Sequence, residues 1–183
     1  MESLFKKLQP LRLKTQKMFL ESKTAYFNTP IGTAKIVGNK NGIQSIIVLD
    51  TSVETTKEVP LCLQSCVAQL QEYFNGRRTH FDLTVNPKGT PFQIKVWKSL
   101  LKIPYGKTKS YLEQSKAFGD IKTVRAIAAA NGKNPLWIVI PCHRVVGSDG
   151  SLTGYAGGIW RKKWLLNHEN PTKQQSLFED FSY

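Results

Sequence analysis

The sequence predicts an α+β protein in two parts, a strand-rich front followed by a cluster of short helices. Three observations predict it. Between Thr24 and Leu49 the chain reads as β-branched and aromatic runs broken by Gly, Pro and Asn. From Thr90 onward, apolar residues recur at helical spacing between capping and stop signals. Between these stretches, residues 77–90 form a Pro- and Gly-containing linker, and the charge changes across it: residues 1–87 carry +4, residues 88–170 carry +10 and residues 171–183 carry −1. At 183 residues the chain can bury a real core, as one domain or two small ones.

Thr24–Thr29, Thr33–Val37 and Ile43–Leu49 are the predicted strands, and Asn41-Gly42 is a hairpin signal. Pro60–Asn75 reads as a helix with Cys62, Cys66, Leu70, Tyr73 and Phe74 on its apolar stripe, closed by Gly76. The linker holds one short strand. Thr90-Pro91 caps the next helix, whose apolar face is Phe92, Val96, Trp97, Leu100 and Leu101. Ser110-Tyr-Leu-Glu113 fits a capping box and starts a second helix that ends near Gly119. Asp120 or Thr123 caps a third, Thr123–Asn131, ended by Gly132 and unusually small-sided. Two short helices in a basic segment have the outline of a helix-turn-helix. Leu136–Ile140 is an apolar run, 148–158 a Gly-rich loop, and Ile159–His168 a last helix stopped by Asn170-Pro171.

A net charge of +13 points to a polyanionic partner, nucleic acid before an anionic membrane. Three cysteines without compact spacing argue for a reducing compartment and against a disulfide scaffold. No apolar run approaches the ~18 residues of a membrane span. The basic, amphipathic N-terminus lacks the apolar core of a signal peptide and reads as a loosely held extension, with weak surface binding as the alternative. Cys62, Cys66 and His80 could suggest a metal site, but both cysteines lie on the apolar stripe, so core packing is the expectation and no metal is expected.

The chemistry concentrates in Ile138-Val-Ile-Pro-Cys-His-Arg-Val-Val-Gly147. A cysteine is nucleophilic as its thiolate, which needs a neighbouring base and a positive field. Cys142 has His143 beside it and lies in the basic segment. In an extended segment the two side chains would point oppositely, so direct contact between them is not expected.

Pro141-Cys-His-Arg-Val145, Asn134-Pro135, the Arg125 helix, Ser110-Tyr111, Gly154-Tyr-Ala-Gly-Gly158 and Asn167-His-Glu169 occur in an order and spacing that resemble the O6-alkylguanine-DNA alkyltransferases. The resemblance covers residues 90–170 closely and 24–87 in outline. It implies an α/β (α+β) fold with an N-terminal ribonuclease-H-like three-stranded sheet with helices (24–87) and a C-terminal winged-helix-like DNA-binding domain (88–170). Residues 1–23 would be an extension and 171–183 a tail. It implies direct-reversal repair: the alkyl group of a flipped O6-alkylguanine in duplex DNA, with O4-alkylthymine left open, moves irreversibly to Cys142. No cofactor is needed. The protein would be a cytoplasmic monomer (nuclear in a eukaryote) that makes no membrane contact, with cooperativity on DNA left open.

The resemblance also implies roles for single residues. His143 reaches Cys142 through a water and is oriented by Glu169. Asn134 holds the cysteine turn. Tyr111 donates near N3 of the base and crowds its 3′ phosphate. Arg125 fills the gap left by the flipped base, with Val124, Ala126 and Ala128 letting the backbone approach DNA. Tyr155 covers the base, the Ala156 N–H meets O6, and the carbonyls of Cys142 and Val145 accept from the guanine amino group. Trp137 stands where a smaller residue can occur and bears on alkyl size, and Asn131 bears on the shape of the pocket wall. Two competing readings remain: a non-catalytic DNA binder, which would lack the reactive cysteine, and a Cys-His hydrolase, which would turn over with water.

Overall fold

A computed structural model describes residues 21–170; the predicted extension, for residues 1–20, and the tail lie outside them. Strands β1 (Lys23–Thr29), β2 (Gly32–Asn39) and β3 (Gly42–Leu49) form an antiparallel sheet in the order β1-β2-β3. The second turn is Lys40-Asn41, with Gly42 opening β3 at φ 124°. A Cβ there would stand 2.6 Å from the Thr84 carbonyl oxygen, so only glycine lets the linker pass this close. Helix α1 (Leu61–Phe74) covers the sheet. Its buried face is Leu63, Cys66, Val67, Leu70 and Tyr73, which leaves the expected stripe residue Cys62 half-buried at the margin.

The linker strand reduces to a single bridge. Ile43 donates to the Thr84 carbonyl at 2.8 Å and accepts from Asn86 at 2.7 Å, pairing Val85 with β3 for one residue. Further along the same strand, Ile46 donates to the Pro135 carbonyl (2.7 Å) and accepts from Trp137 (3.0 Å). Strand β3 thus supports both the linker and the segment that carries Cys142.

Beyond the linker come α2 (Pro91–Leu100), a two-residue strand β4 (Lys109–Ser110), α3 (Tyr111–Lys116), a 3₁₀ turn (Ile121–Thr123) and α4 (Val124–Gly132). Both expected capping boxes form, Thr90 with Gln93 and Ser110 with Glu113. Asp120 caps the 3₁₀ turn, while Thr123 makes no side-chain cap. Gly132 is the last residue of α4 and Lys133 its C-cap, so the glycine lies inside the helix and not beyond its end. The Trp97 indole N–H donates to the Ala130 carbonyl at 2.8 Å, tying α2 to α4.

The run before Cys142 is not extended. Ile140 donates to the Leu136 carbonyl and Cys142 to that of Ile140, each at 2.8 Å, and Cys142–Arg144 is a 3₁₀ turn. Ile138 sits at φ 72°, a left-handed conformation that costs a β-branched residue on the order of 1–3 kcal/mol. Buried apolar contacts hold it there: Leu136 through Ile140 are all buried. Strand β5 (Val145–Val146) then pairs in parallel with β4, and α5 (Ile159–Glu169) closes the fold. Arg161 of α5 fastens the two halves. Its buried guanidinium donates to the carbonyls of Ile31 and Gly157 and to Asp50, each at 2.8 Å. Among the described residues, no helix is long and apolar enough to cross a membrane, and no group of three or more His, Cys, Asp or Glu could hold a metal ion.

Candidate functional site

Asn134 follows the end of α4 and organises the turn that presents the cysteine. Its Oδ1 accepts from Leu136 N–H at 3.0 Å, and its Nδ2 donates to the Ile140 carbonyl at 2.7 Å and to Cys142 Sγ at 3.2 Å. One amide therefore satisfies the turn backbone and addresses the sulfur. Burial pushes the Cys142 thiol up, while the Asn134 hydrogen bond and the Lys162 charge act to bring it down.

His143 is fully buried and its Nε2 lies 2.8 Å from Glu169 Oε1. Burial lowers the imidazole below its ordinary value, despite the opposing pull of Glu169, so it is neutral at pH 7. Burial alone would raise Glu169, but the hydrogen bonds of His143 and Arg144 and the Arg144 charge hold it well below the usual carboxylate range. An ionised carboxylate only accepts, so the imidazole proton sits on Nε2 and Nδ1 carries the bare lone pair. That Nδ1 is buried and has no partner among the described residues.

Glu169 accepts five hydrogen bonds. Oε1 takes those of His143 (2.8 Å), Tyr73 Oη (2.9 Å) and Arg144 Nη2 (3.0 Å); Oε2 takes Arg144 Nε (2.8 Å) and Gly106 N–H (3.2 Å). Donors from α1, the α2–β4 loop and the cysteine turn meet on one carboxylate, which explains how a charge near a helix C-terminus is tolerated.

The other expected residues lie on the turn before Cys142, on α3, α4 and β5, and in the loop before α5. Tyr111, at the first turn of α3, is half-buried, with its hydroxyl 3.4 Å from the carbonyls of Thr153 and Gly154. Tyr155 packs on Trp137 with ring centroids 5.6 Å apart, and a Cβ on Gly157 would strike the Trp137 ring at 2.6 Å. Burial raises both tyrosine hydroxyls, and the charge of Cys142 adds to that in each. Ala156 is exposed, and Val145 is buried in β5 with its N–H on the Cys142 carbonyl. A carbonyl oxygen has two lone pairs, so that bond leaves the Cys142 carbonyl a further acceptor site. Arg125 and Ala126 are exposed on α4, with Val124 and Ala128 half-exposed beside them. Asn131 turns inward instead, donating to Gln114 at 2.9 Å.

Three contributors were not expected from sequence: Tyr73, Arg144 as a partner of Glu169, and Lys162. Lys162 is fully buried, donates to the Thr153 carbonyl at 2.8 Å and lies 5.7 Å from the Tyr111 ring centroid. Burial brings its ammonium down to about 8, offset in part by Cys142. The seven-residue spacing of Lys162 and Glu169 places them two turns apart on one face of α5, a signal the sequence did carry.

Residues 91–171 match the family described as 6-O-methylguanine DNA methyltransferase, DNA binding domain, and residues 23–87 match the ribonuclease-like domain of the same proteins. The methylated-DNA–protein-cysteine methyltransferase of Mycobacterium tuberculosis is 42% identical over 146 residues, covering 78% of this chain and 88% of the relative. The chain belongs to the methylated-DNA–protein-cysteine methyltransferase family. A relative of the same name from Methanosarcina barkeri is 41% identical over 148 residues, 77% of this chain and 92% of its own. A crystal structure of the M. tuberculosis O6-methylguanine methyltransferase matches with TM-score 0.74 at 39% identity, covering 86% of this chain and 99% of that one. A second crystal structure, of that organism's OGT in complex with DNA, matches with TM-score 0.73 at 40% identity, covering 81% and 93%. The two-part α/β architecture is that of the family.

Proposed function

We propose that the protein repairs DNA by direct reversal, moving the alkyl group of O6-alkylguanine in duplex DNA onto Cys142. The observation that carries this is the pair of contacts Asn134–Cys142 and His143–Glu169, which hold a buried thiol and a buried imidazole on adjacent residues. His143 Nδ1 takes the thiol proton through a bridging water, and the sulfur attacks the carbon on O6 in line. The C–O6 bond breaks with its electron pair returning to the base, which takes a proton at N3 from Tyr111, and the proton taken up by His143 passes to solvent as solvent reprotonates Tyr111. Guanine is the product, and a thioether remains on the protein. A thioether has no hydrolytic route back, so each molecule acts once.

Asn134 orders the thiolate, Lys162 adds positive charge and Glu169 fixes the imidazole tautomer. Tyr155, Ala156, Val145 and Trp137 form the base pocket, and α4 enters from the minor groove with Arg125 replacing the flipped base. The division between domains falls at residues 87 and 88, and the working place is the compartment that holds the DNA, the cytoplasm in a prokaryote. No metal or cofactor takes part. Intact-mass measurement tests the chemistry: after incubation with O6-methylguanine duplex the protein should gain one methyl group, mapped to the Cys142 peptide. Methyl groups at several sites, or an unmodified protein with repaired DNA, would reject it.

A further inference from the structure

A second concave surface lies away from Cys142, between α2, the loop to β4, and α3. It encloses about 540 Å³, and Lys95, Lys98, Lys102, Lys107 and Lys109 line it. The acid on its wall is Glu113, whose carboxylate is committed to the N–H and hydroxyl of Ser110. None of the five lysines takes part in an ion pair among the described residues. Lys95 and Lys98 lie three residues apart on α2 and Lys102 in the turn just after it, so three like charges face one concavity and repel. A concavity with walls of one sign focuses a positive field, and an entering polyanion relieves the repulsion.

The groove also has a direction. Phe118 forms part of its wall, with Lys95 Nζ 5.2 Å from the ring centroid and Phe92 edge-on at 6.2 Å. From Phe118 the chain runs through the 3₁₀ turn directly into α4, where Arg125 is exposed; Lys122 is exposed along the way and Lys116 just before Phe118. Basic surface therefore extends from the helix that carries Arg125 to the groove. Ammonium groups on flexible stems suit phosphates, which they hold without reading sequence.

We propose that this groove seats the phosphate backbone of duplex DNA flanking the lesion, a contact additional to that of α4. The proposal rests on the repair reading above. Its test is the salt dependence of binding to an unmodified duplex, for the full chain and for the triple variant Lys95→Gln, Lys98→Gln, Lys102→Gln. Losing three phosphate contacts should flatten the slope of log affinity against log salt by about 2 to 3. Methyl transfer from free O6-methylguanine base should be unchanged. A second variant, Lys107→Gln with Lys109→Gln, should flatten the slope by about 1 to 2 from the opposite wall. Slopes equal to that of the parent in both variants overturn the proposal. So does weakened binding of a polyglutamate peptide with duplex binding intact, which would assign the groove to an acidic protein. Failure of the parent chain to take a methyl group from free base or duplex would strike the repair reading instead, and the slopes would still decide the groove.

Discussion

The hydroxyl of Tyr73, in the N-terminal domain, donates a 2.9 Å hydrogen bond to Glu169, whose carboxylate lies 2.8 Å from His143 in the C-terminal domain. The bond is buried and spans 96 positions of sequence. His168, beside Glu169, lies 2.7 Å through Nε2 from the Tyr73 carbonyl, so the same helix turn is held twice. The ribonuclease-like domain thereby reaches, through Glu169, a histidine it does not contain. Tyr73→Phe should cost about 1.5–3 kcal/mol of stability, the range for a hydrogen bond to a charged group, because Glu169 keeps its other donors. Denaturant unfolding measures this; a variant as stable as the parent would show that the bond contributes nothing.

Glu169→Gln has a larger effect for a different reason. It leaves Arg144 buried without its counter-charge, which costs about 3–5 kcal/mol, and it releases the tautomer of His143. Alkyl transfer should slow by roughly 100-fold or more, the lower end for lost base catalysis. Single-turnover kinetics on a methylated duplex, at a temperature where circular dichroism shows the variant folded, would check it.

Acid stability follows from the same carboxylate. The Glu169 carboxyl is held far below its ordinary value of 4.5 in the folded protein. The unfolded chain therefore binds the proton first, and stability from this group is complete above about pH 4.5 and lost as the pH falls below it. The parent should lose stability steeply below that point, and Glu169→Gln, already less stable, should lose less over the same interval. Parallel curves would mean that other carboxylates account for the acid sensitivity.

Lys162→Gln removes the positive charge that opposes the burial of Cys142. The pH at which Cys142 becomes reactive should rise, read as the rate of iodoacetamide alkylation at the Cys142 peptide across pH 6 to 10 (a span of roughly four units about the free thiol value). In the parent, ionisation of Lys162 near 8 should appear in the same profile. An unmoved profile in the variant would show that its charge does not reach the sulfur.

Much of the fold and of the site is legible in the sequence, and what is not has physical causes. Caps and periodicity located the helices because Thr90, Ser110 and Asp120 act within three residues of their own position. The run Leu136–Ile140 misleads because a fully buried apolar segment looks alike as strand or turn; its backbone bridges to β3 at Leu136 and Ile138 is left-handed, a tertiary setting no local pattern encodes. Tyr73 read as a core aromatic since its stripe position says nothing of where its hydroxyl ends. Arg144 was visible as a charge in the motif, yet its partner lies 25 residues away. Asn134, in contrast, stands close to the motif in sequence, and its side chain contacts Leu136, Ile140 and Cys142.

Arg125→Ala separates DNA handling from chemistry. Arg125 is exposed on α4 and has no described contact with the cysteine centre. The variant should lose repair of O6-methylguanine in duplex DNA while its reaction with the free base is retained. Equal losses on both substrates would contradict a role in filling the vacated stack.

The account turns on Cys142 as a terminal acceptor, and label counting addresses that most directly. Duplex DNA carrying a radiolabelled O6-methyl group is incubated in excess with the protein, and label is counted per polypeptide. The account predicts a plateau near one equivalent in the parent and none in Cys142→Ala. Release of label with continued turnover, or an equal plateau in the variant, would contradict it.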